Sequence, residues 1–126
     1  MTQIEQLILE LCPDGVEFKT LGEVTKIIRG ERVTKSQLIE NGQYPVISGG
    51  VTPMGYIDKF NREADTITIA QYGTAGYVNY IREKFWANDV CYSVYPSPEL
   101  DNKFLYYSLV NKQNYFYSVR NAGGYP

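Results

Sequence analysis

Two stretches of the chain set an acid ahead of a (D/E)-x-K spacing, the arrangement with which a metal-dependent nuclease holds Mg2+ and positions water. "PDGVEFK" (13–19) offers Asp14, Glu17 and Lys19, and Asp89 with Asp101-Asn102-Lys103 forms the other set. In the first, the acids lie so close in sequence that they share one turn instead of standing on two paired strands. In the second the spacing is better, but Asp101 is better explained as a helix cap. Histidine is absent, which removes the usual general base, the Ser-His and Cys-His nucleophile pairs and the commonest metal ligand. There is no N-P-P-[FYW] loop of the amino-methyltransferase kind. Cys12 and Cys91 stand far apart without a CxxC motif, so neither a zinc cluster nor a redox pair is indicated. Two such thiols read as reduced and intracellular, with a disulfide between them as the alternative.

Two glycine-rich loops remain. "YPVISGGVTPMGY" (44–56) carries Gly49-Gly50, but a Walker A loop needs a Lys directly after its glycines, and here none comes before Lys59. No G-x-G-x-x-G opens a helix, so a dinucleotide fingerprint fails too. "QYGTAGY" (71–77) holds a G-x-x-G, which in a KH domain joins two helices. Here its neighbours are strand-like, and the spacing predicts a hairpin turn in which Gly73 and Gly76 supply unusual φ angles. Tyr72 and Thr74 at its tip remain available for contacts.

The elements that must position these loops can be read from periodicity. Thr2-Gln3-Ile4-Glu5 is a capping box, followed at one-face helical spacing by Ile4, Leu7, Ile8 and Leu11, with Pro13 and Gly15 as the stop. An N-terminal helix within 1–15 is expected. "VTKIIRG" (24–30) is β-rich, and "TKSQLIENG" reads as a short helix from a Thr34 cap. Strands are expected at Tyr44–Ser48, Gly55–Asp58, 66–70, Gly76–Ile81 and Val90–Tyr95, and the alternation of Thr66-Ile67-Thr68-Ile69 suggests a half-buried one. Asp101 then caps a C-terminal helix through "NKFLYYSLVNKQNYF", with Leu105 and Leu109 on one face. Trp86 beside Phe85 is assigned to the core.

With 126 residues, 44% hydrophobic and 21% charged, the chain suits one domain spanning 1–126. Its 12 tyrosines fit either surface recognition or a β-rich core with wet edges. The net charge of −2 argues weakly against nucleic acid, but charge is unevenly spread. Residues 26–62 hold six cations (Lys26, Arg29, Arg32, Lys35, Lys59, Arg62) against three acids, a net +3 that coincides with the first glycine loop. The N-terminus lacks a basic region and its apolar residues are interrupted by Glu5 and Glu10, unlike a signal peptide or membrane span. "NAGGYP" closes no element, so a truncated fragment is expected.

Taken in order, "LCPDGVEFKTLGEV" (11–24), "YPVISGGVTPMGYID" (44–58), "TITIAQYGTAGYVNY" (66–80), "FWANDVCYSVYP" (85–96) and "NKFLYYSL" (102–109) resemble the target recognition domain of type I restriction–modification specificity (S) subunits. The resemblance covers nearly the whole chain. It implies a mixed α/β (α+β) fold with a curved, irregular sheet of short strands between an N-terminal and a C-terminal helix. It also implies a non-catalytic, cytoplasmic reader of double-stranded DNA. In that family two such domains, separated by long helices, each read half of a bipartite site. Partner methyltransferase (M) subunits methylate with S-adenosylmethionine, and restriction (R) subunits cleave with ATP and Mg2+, so no cofactor is expected on this chain. Against that resemblance the chain is expected to be a fragment without the helical spacer and second recognition domain.

Within that resemblance, side-chain chemistry and loop position select the candidate DNA contacts. Arg29, Arg32, Lys35 and Lys59 suit phosphate or guanine. Ser48, Gly49, Gly50, Thr52 and Tyr56 would form one reading loop, and Gln71, Tyr72 and Thr74 another. Lys84 and Asn88 could contribute from "REKFWAND". The alternative function is a β-rich carbohydrate- or protein-binding domain, motivated by the tyrosine excess and the pI near 5.1.

Overall fold

The computed structural model describes residues 2–11 and 20–119. Cys12, the Pro13–Gly15 helix stop, the Asp14/Glu17/Lys19 set, Arg120 and the closing "NAGGYP" lie outside the described residues. In chain order the elements are α1 (Gln3–Leu11), α2 (Leu21–Val24), β1 (Thr25–Arg29), a 3-10 turn (Lys35–Gln37), β2 (Tyr44–Ile47), β3 (Gly55–Ile57) and β4 (Thr66–Ala70). There follow β5 (Val78–Ile81), β6 (Trp86–Ala87), β7 (Cys91–Pro96), α3 (Asn102–Val110) and α4 (Gln113–Val119).

The capping box of α1 forms reciprocally: Glu5 N donates to Thr2 Oγ1 at 3.1 Å, and Thr2 N to Glu5 Oε2 at 3.0 Å. Ile4 and Leu7 are nevertheless 71% and 47% exposed, so these two side chains are not covered by the described domain. Downstream, the expected short helix at 34 shrinks to a single 3-10 turn. Its ends are consumed by a capping box between Thr34 and Gln37, and Leu38 is already extended.

The mixed helix-and-strand class holds, but the strands divide between two open sheets rather than one curved sheet. β1-β7-β4-β5 is antiparallel throughout; β3-β2-β6 pairs β2 with β3 antiparallel and β2 with β6 in parallel. Ile67, Val78 and Val94 from the first sheet pack with Leu105 and Leu109 of α3. Val33, Val46, Ile57 and Trp86 fill a second cluster. A third, with Ile47, Phe85 and Ala87 meeting Ile81 and Cys91, joins the sheets. Trp86 belongs to the core as expected, and its indole N–H donates to the Glu31 carbonyl at 2.8 Å.

This sandwiching overturns the half-buried reading of β4, since Thr66 and Thr68 are buried as well as Ile67. Alternation signals one wet face only when nothing covers that face. Here the second sheet does. Polar groups trapped at the junction are paired: Thr66 Oγ1 donates to Glu63 O at 2.9 Å, and the fully buried Ser93 hydroxyl accepts from Arg62 Nε at 2.7 Å. Arg62 also donates to the carbonyls of Asn61 and Arg29, spanning the gap between the sheets. Cys91 sits in the same layer, a free thiol whose burial pushes its pKa up to about 12.

Asp101 caps α3 through Phe104 N at 2.9 Å, as its position predicts. The single C-terminal helix expected from periodicity is broken at Asn111-Lys112 into α3 and α4. The break turns Gln113 toward the 71–77 hairpin. There Nε2 donates to Gly76 O at 2.6 Å, and Oε1 accepts from Val78 N at 2.8 Å.

Candidate nucleic-acid interface

Three loops and one strand end converge at one edge of the domain. The glycine loop leaves β2 at Ser48 and returns at Gly55. The hairpin tip, 71–77, joins β4 to β5, with Gly73 at φ 72° and Gly76 at φ 85° as its sequence predicts. The turn at Asn88–Val90 joins β6 to β7. Because β2 and β6 are parallel, with Ile47 opposite Ala87, Ser48 and Asn88 leave the sheet side by side. The end of β1 completes the set, and Arg29 Nε donates to the Asp89 carbonyl at 3.0 Å.

These segments are tied by close backbone contacts. Thr74 N donates to Gly49 O at 2.8 Å, Gln71 N to Val90 O at 2.8 Å, and Asn88 N to Ile47 O at 2.9 Å. A Cβ on Gly49 would run into the Tyr72 carbonyl, whose carbon lies 2.9 Å from that position. One on Gly30 would strike the Asn88 carbonyl in the same way. Gly50, next in sequence, has only ordinary contact with Thr52. The two adjacent glycines therefore do different jobs: Gly49 permits two loops to touch, and Gly50 lies on the outside.

Of the residues singled out from the sequence, Arg29, Arg32, Lys35, Gly50, Thr52 and Tyr72 are exposed, and Ser48 and Thr74 are partly so. Arg29, Arg32 and Lys35 make no ion pair among the described residues. Lys59 is exposed, its ammonium 4.7 Å from the Trp86 ring centroid, two positions before Asn88. Tyr56 is exposed on β3 opposite Pro45, one residue beyond the Gly55 at which the loop returns.

Lys84 is set apart. It precedes β6 whereas Asn88 follows it, and its ammonium lies 3.9 Å from Glu63 and 4.7 Å from the Phe60 ring. Gln71 and Asn88 are only 7% and 6% exposed. Asn88 is hydrogen-bonded inside the domain; Gln71 Oε1 is buried without a partner among the described residues. In this conformation neither amide reaches outward to a base edge.

Sequence reasoning missed Gly30 and Val33, which dock the basic segment against the 88–90 turn. Gly30 ends a strand candidate and is legible only as punctuation; the carbonyl it must clear comes from a residue 58 positions later. Asp89 and Asp101 stand beyond opposite ends of β7, a strand that rises about 17 Å. That separation denies them a shared metal, and among the described residues no group of three ligating side chains is clustered. Among the described residues the exposed tyrosines fall on separate elements, with Tyr56 on β3, Tyr72 on the hairpin, Tyr107 on α3 and Tyr115 on α4. No described helix is long and apolar enough to cross a membrane.

Comparison with known proteins agrees with this architecture. A protein named as a type I specificity subunit in Mycoplasma pneumoniae is 32% identical over 106 residues, which cover 82% of this chain and 28% of that protein. A type I restriction enzyme specificity subunit of Haemophilus influenzae is 35% identical over 101 residues, covering 76% and 26%. The crystal structure of the S subunit of a type I restriction–modification system from M. genitalium superposes with a TM-score of 0.74 at 31% identity, over 78% of this chain and 27% of that one. The chain thus spans little more than a quarter of the length of these relatives. Residues 13–126 match the type I restriction modification DNA specificity domain, and the chain belongs to that family.

Proposed function

We propose that residues 1–126 form a single target recognition domain that reads one half of a bipartite site in double-stranded DNA, within a type I restriction–modification specificity subunit. The observation that carries this reading is the convergence of the glycine loop, the hairpin tip and the 88–90 turn beside Arg29, Arg32 and Lys35. Guanidinium and ammonium groups without an ion pair among the described residues suit phosphates, while Ser48, Thr52 and Thr74 carry hydroxyls suited to base edges. Catalysis then belongs to partners: methyltransferase subunits with S-adenosylmethionine, and restriction subunits with ATP and Mg2+, in the cytoplasm. This domain contributes position and sequence choice.

The test is duplex binding between 50 and 200 mM salt, with the chain alone and with methyltransferase subunits added. Arg32→Ala and Lys35→Ala should each reduce the slope of log K against log salt by about 0.9. Lys84→Ala, altered at the far end of β6, should leave the slope unchanged. Absence of duplex binding at low salt in both formats would sink the proposal, and so would a slope that responds to Lys84 as strongly as to Arg32.

A further inference from the structure

The Asn88 side chain touches both the basic segment and the glycine loop. Its Oδ1 accepts from Val33 N at 2.9 Å and from Asp89 N at 3.0 Å. Its Nδ2 lies 3.5 Å from Ser48 Oγ and 3.3 Å from Met54 Sδ, near the beginning and end of the glycine loop. The two halves of the amide are thus unequally used. Both lone pairs are taken at good distances by backbone N–H groups, which fixes the segment between Arg32 and Lys35 against the 88–90 turn. Both amide hydrogens face weak acceptors, one at the limit of hydrogen bonding and one a thioether. Through its own amide Asn88 therefore grips the glycine loop more softly than the basic segment. The hairpin tip follows the glycine loop through Thr74 N and Gly49 O.

We infer that Asn88 is a positioning residue for specificity: it sets where the reading loops stand relative to the cations that grip the phosphates, without itself touching DNA. This rests on the duplex-reading proposal and deepens it. Phosphate contacts fix register, and base contacts discriminate only if they are held at the right offset from that register. Loosening the offset leaves the grip intact and blurs the choice.

Asn88→Ala changes no charge and removes both halves of the link. Asn88→Asp keeps an oxygen for Val33 N and Asp89 N, and the Ser48 hydroxyl can turn to donate to the second oxygen. The experiment is selection of duplexes from a randomised 30-base-pair library by the full chain, followed by binding of selected and scrambled duplexes. For Asn88→Ala the ratio of selected to scrambled affinity should fall about tenfold or more with the salt slope unchanged. Asn88→Asp should enrich the wild-type motif, binding all duplexes more weakly because of its added negative charge. A merely structural role would lower both affinities in proportion and leave the ratio alone. That result, or equal enrichment of the motif by Asn88→Ala, would overturn the role of Asn88. Should Asn88→Ala not fold, loss of the motif in Asn88→Asp does the same. A wild-type chain that enriches nothing removes the duplex-reading proposal, and this inference with it.

Discussion

Gly49 and Gly50 are neighbours in sequence with opposite tolerances, and replacing each by Ala separates contact from conformation. Neither has a left-handed φ, so backbone strain is not at issue. At Gly49 the added methyl would overlap the Tyr72 carbonyl oxygen, and its distances to Tyr72 C and Gly73 N would be 2.9 and 3.4 Å. Backbone cannot rotate away as a side-chain end can. The glycine loop and hairpin tip must therefore part, losing the 2.8 Å bond from Thr74 N to Gly49 O. Overpacking costs about 1–3 kcal/mol, and the lost hydrogen bond adds about 1 kcal/mol. The total, about 2–4 kcal/mol, is a large share of the 5–15 kcal/mol typical of a domain. At Gly50 the nearest atom to the methyl is Thr52 O at 3.4 Å, and restricting the unfolded chain can even stabilise, by about 0.4–1 kcal/mol. Thermal melting followed by circular dichroism should show Gly49→Ala lowered by on the order of 8–16 °C and Gly50→Ala unchanged or slightly raised. Equal midpoints for the two variants would refute the idea that the loops are locked at Gly49.

Two further outcomes follow from single groups. The Cys91 thiol has its pKa raised from 9.0 to about 12, so the folded state holds its proton where the unfolded chain has lost it. Its contribution is complete below pH 9 and is lost as pH rises from 9 toward 12, at up to about 1.4 kcal/mol per pH unit; urea midpoints of wild type and Cys91→Ala compared across that range should show the steeper decline in wild type. Asp101→Ala removes the α3 cap at Phe104 N and should cost about 0.5–2 kcal/mol in chemical denaturation while leaving duplex affinity unaltered.

What could be read in the sequence was whatever is decided locally. The Thr2 and Asp101 caps, the strand runs, and the positive φ of Gly73 and Gly76 each depend on residues within a few positions. Residues whose roles depend on distant partners were not legible. Thr66 and Thr68 read as a wet face because the sheet that covers them is built from segments far away in the chain. Asn88 and Gln71 have the chemistry of adenine readers but lie inside. Asn88 does so because β2 and β6 run parallel and bring residues 48 and 88 together. Gln71 does so because its backbone is tied to Val90, about 20 positions later. The helix break at 111–112 has no glycine or proline to announce it. Its reason is Gln113, whose amide caps the hairpin at Gly76 and Val78.

An overall charge of −2 is compatible with a duplex partner because binding responds to the field at one edge, not to the sum. Arg29, Arg32 and Lys35 stand at the converging loops without ion pairs among the described residues. Asp101 lies beyond the far end of β7, about 17 Å along the strand from the 88–90 turn. At physiological salt the Debye length is about 8 Å, so its repulsion is largely screened at the edge. Exposed Glu31, beside Arg32, belongs to the edge itself, and so does Asp89. The Asp89 backbone is committed, with the carbonyl held by Arg29 Nε and the amide by Asn88 Oδ1. The turn therefore keeps its shape through main-chain bonds that the side chain does not make. A carboxylate retained there works against indiscriminate phosphate binding, and so favours choice among duplexes over grip on all of them.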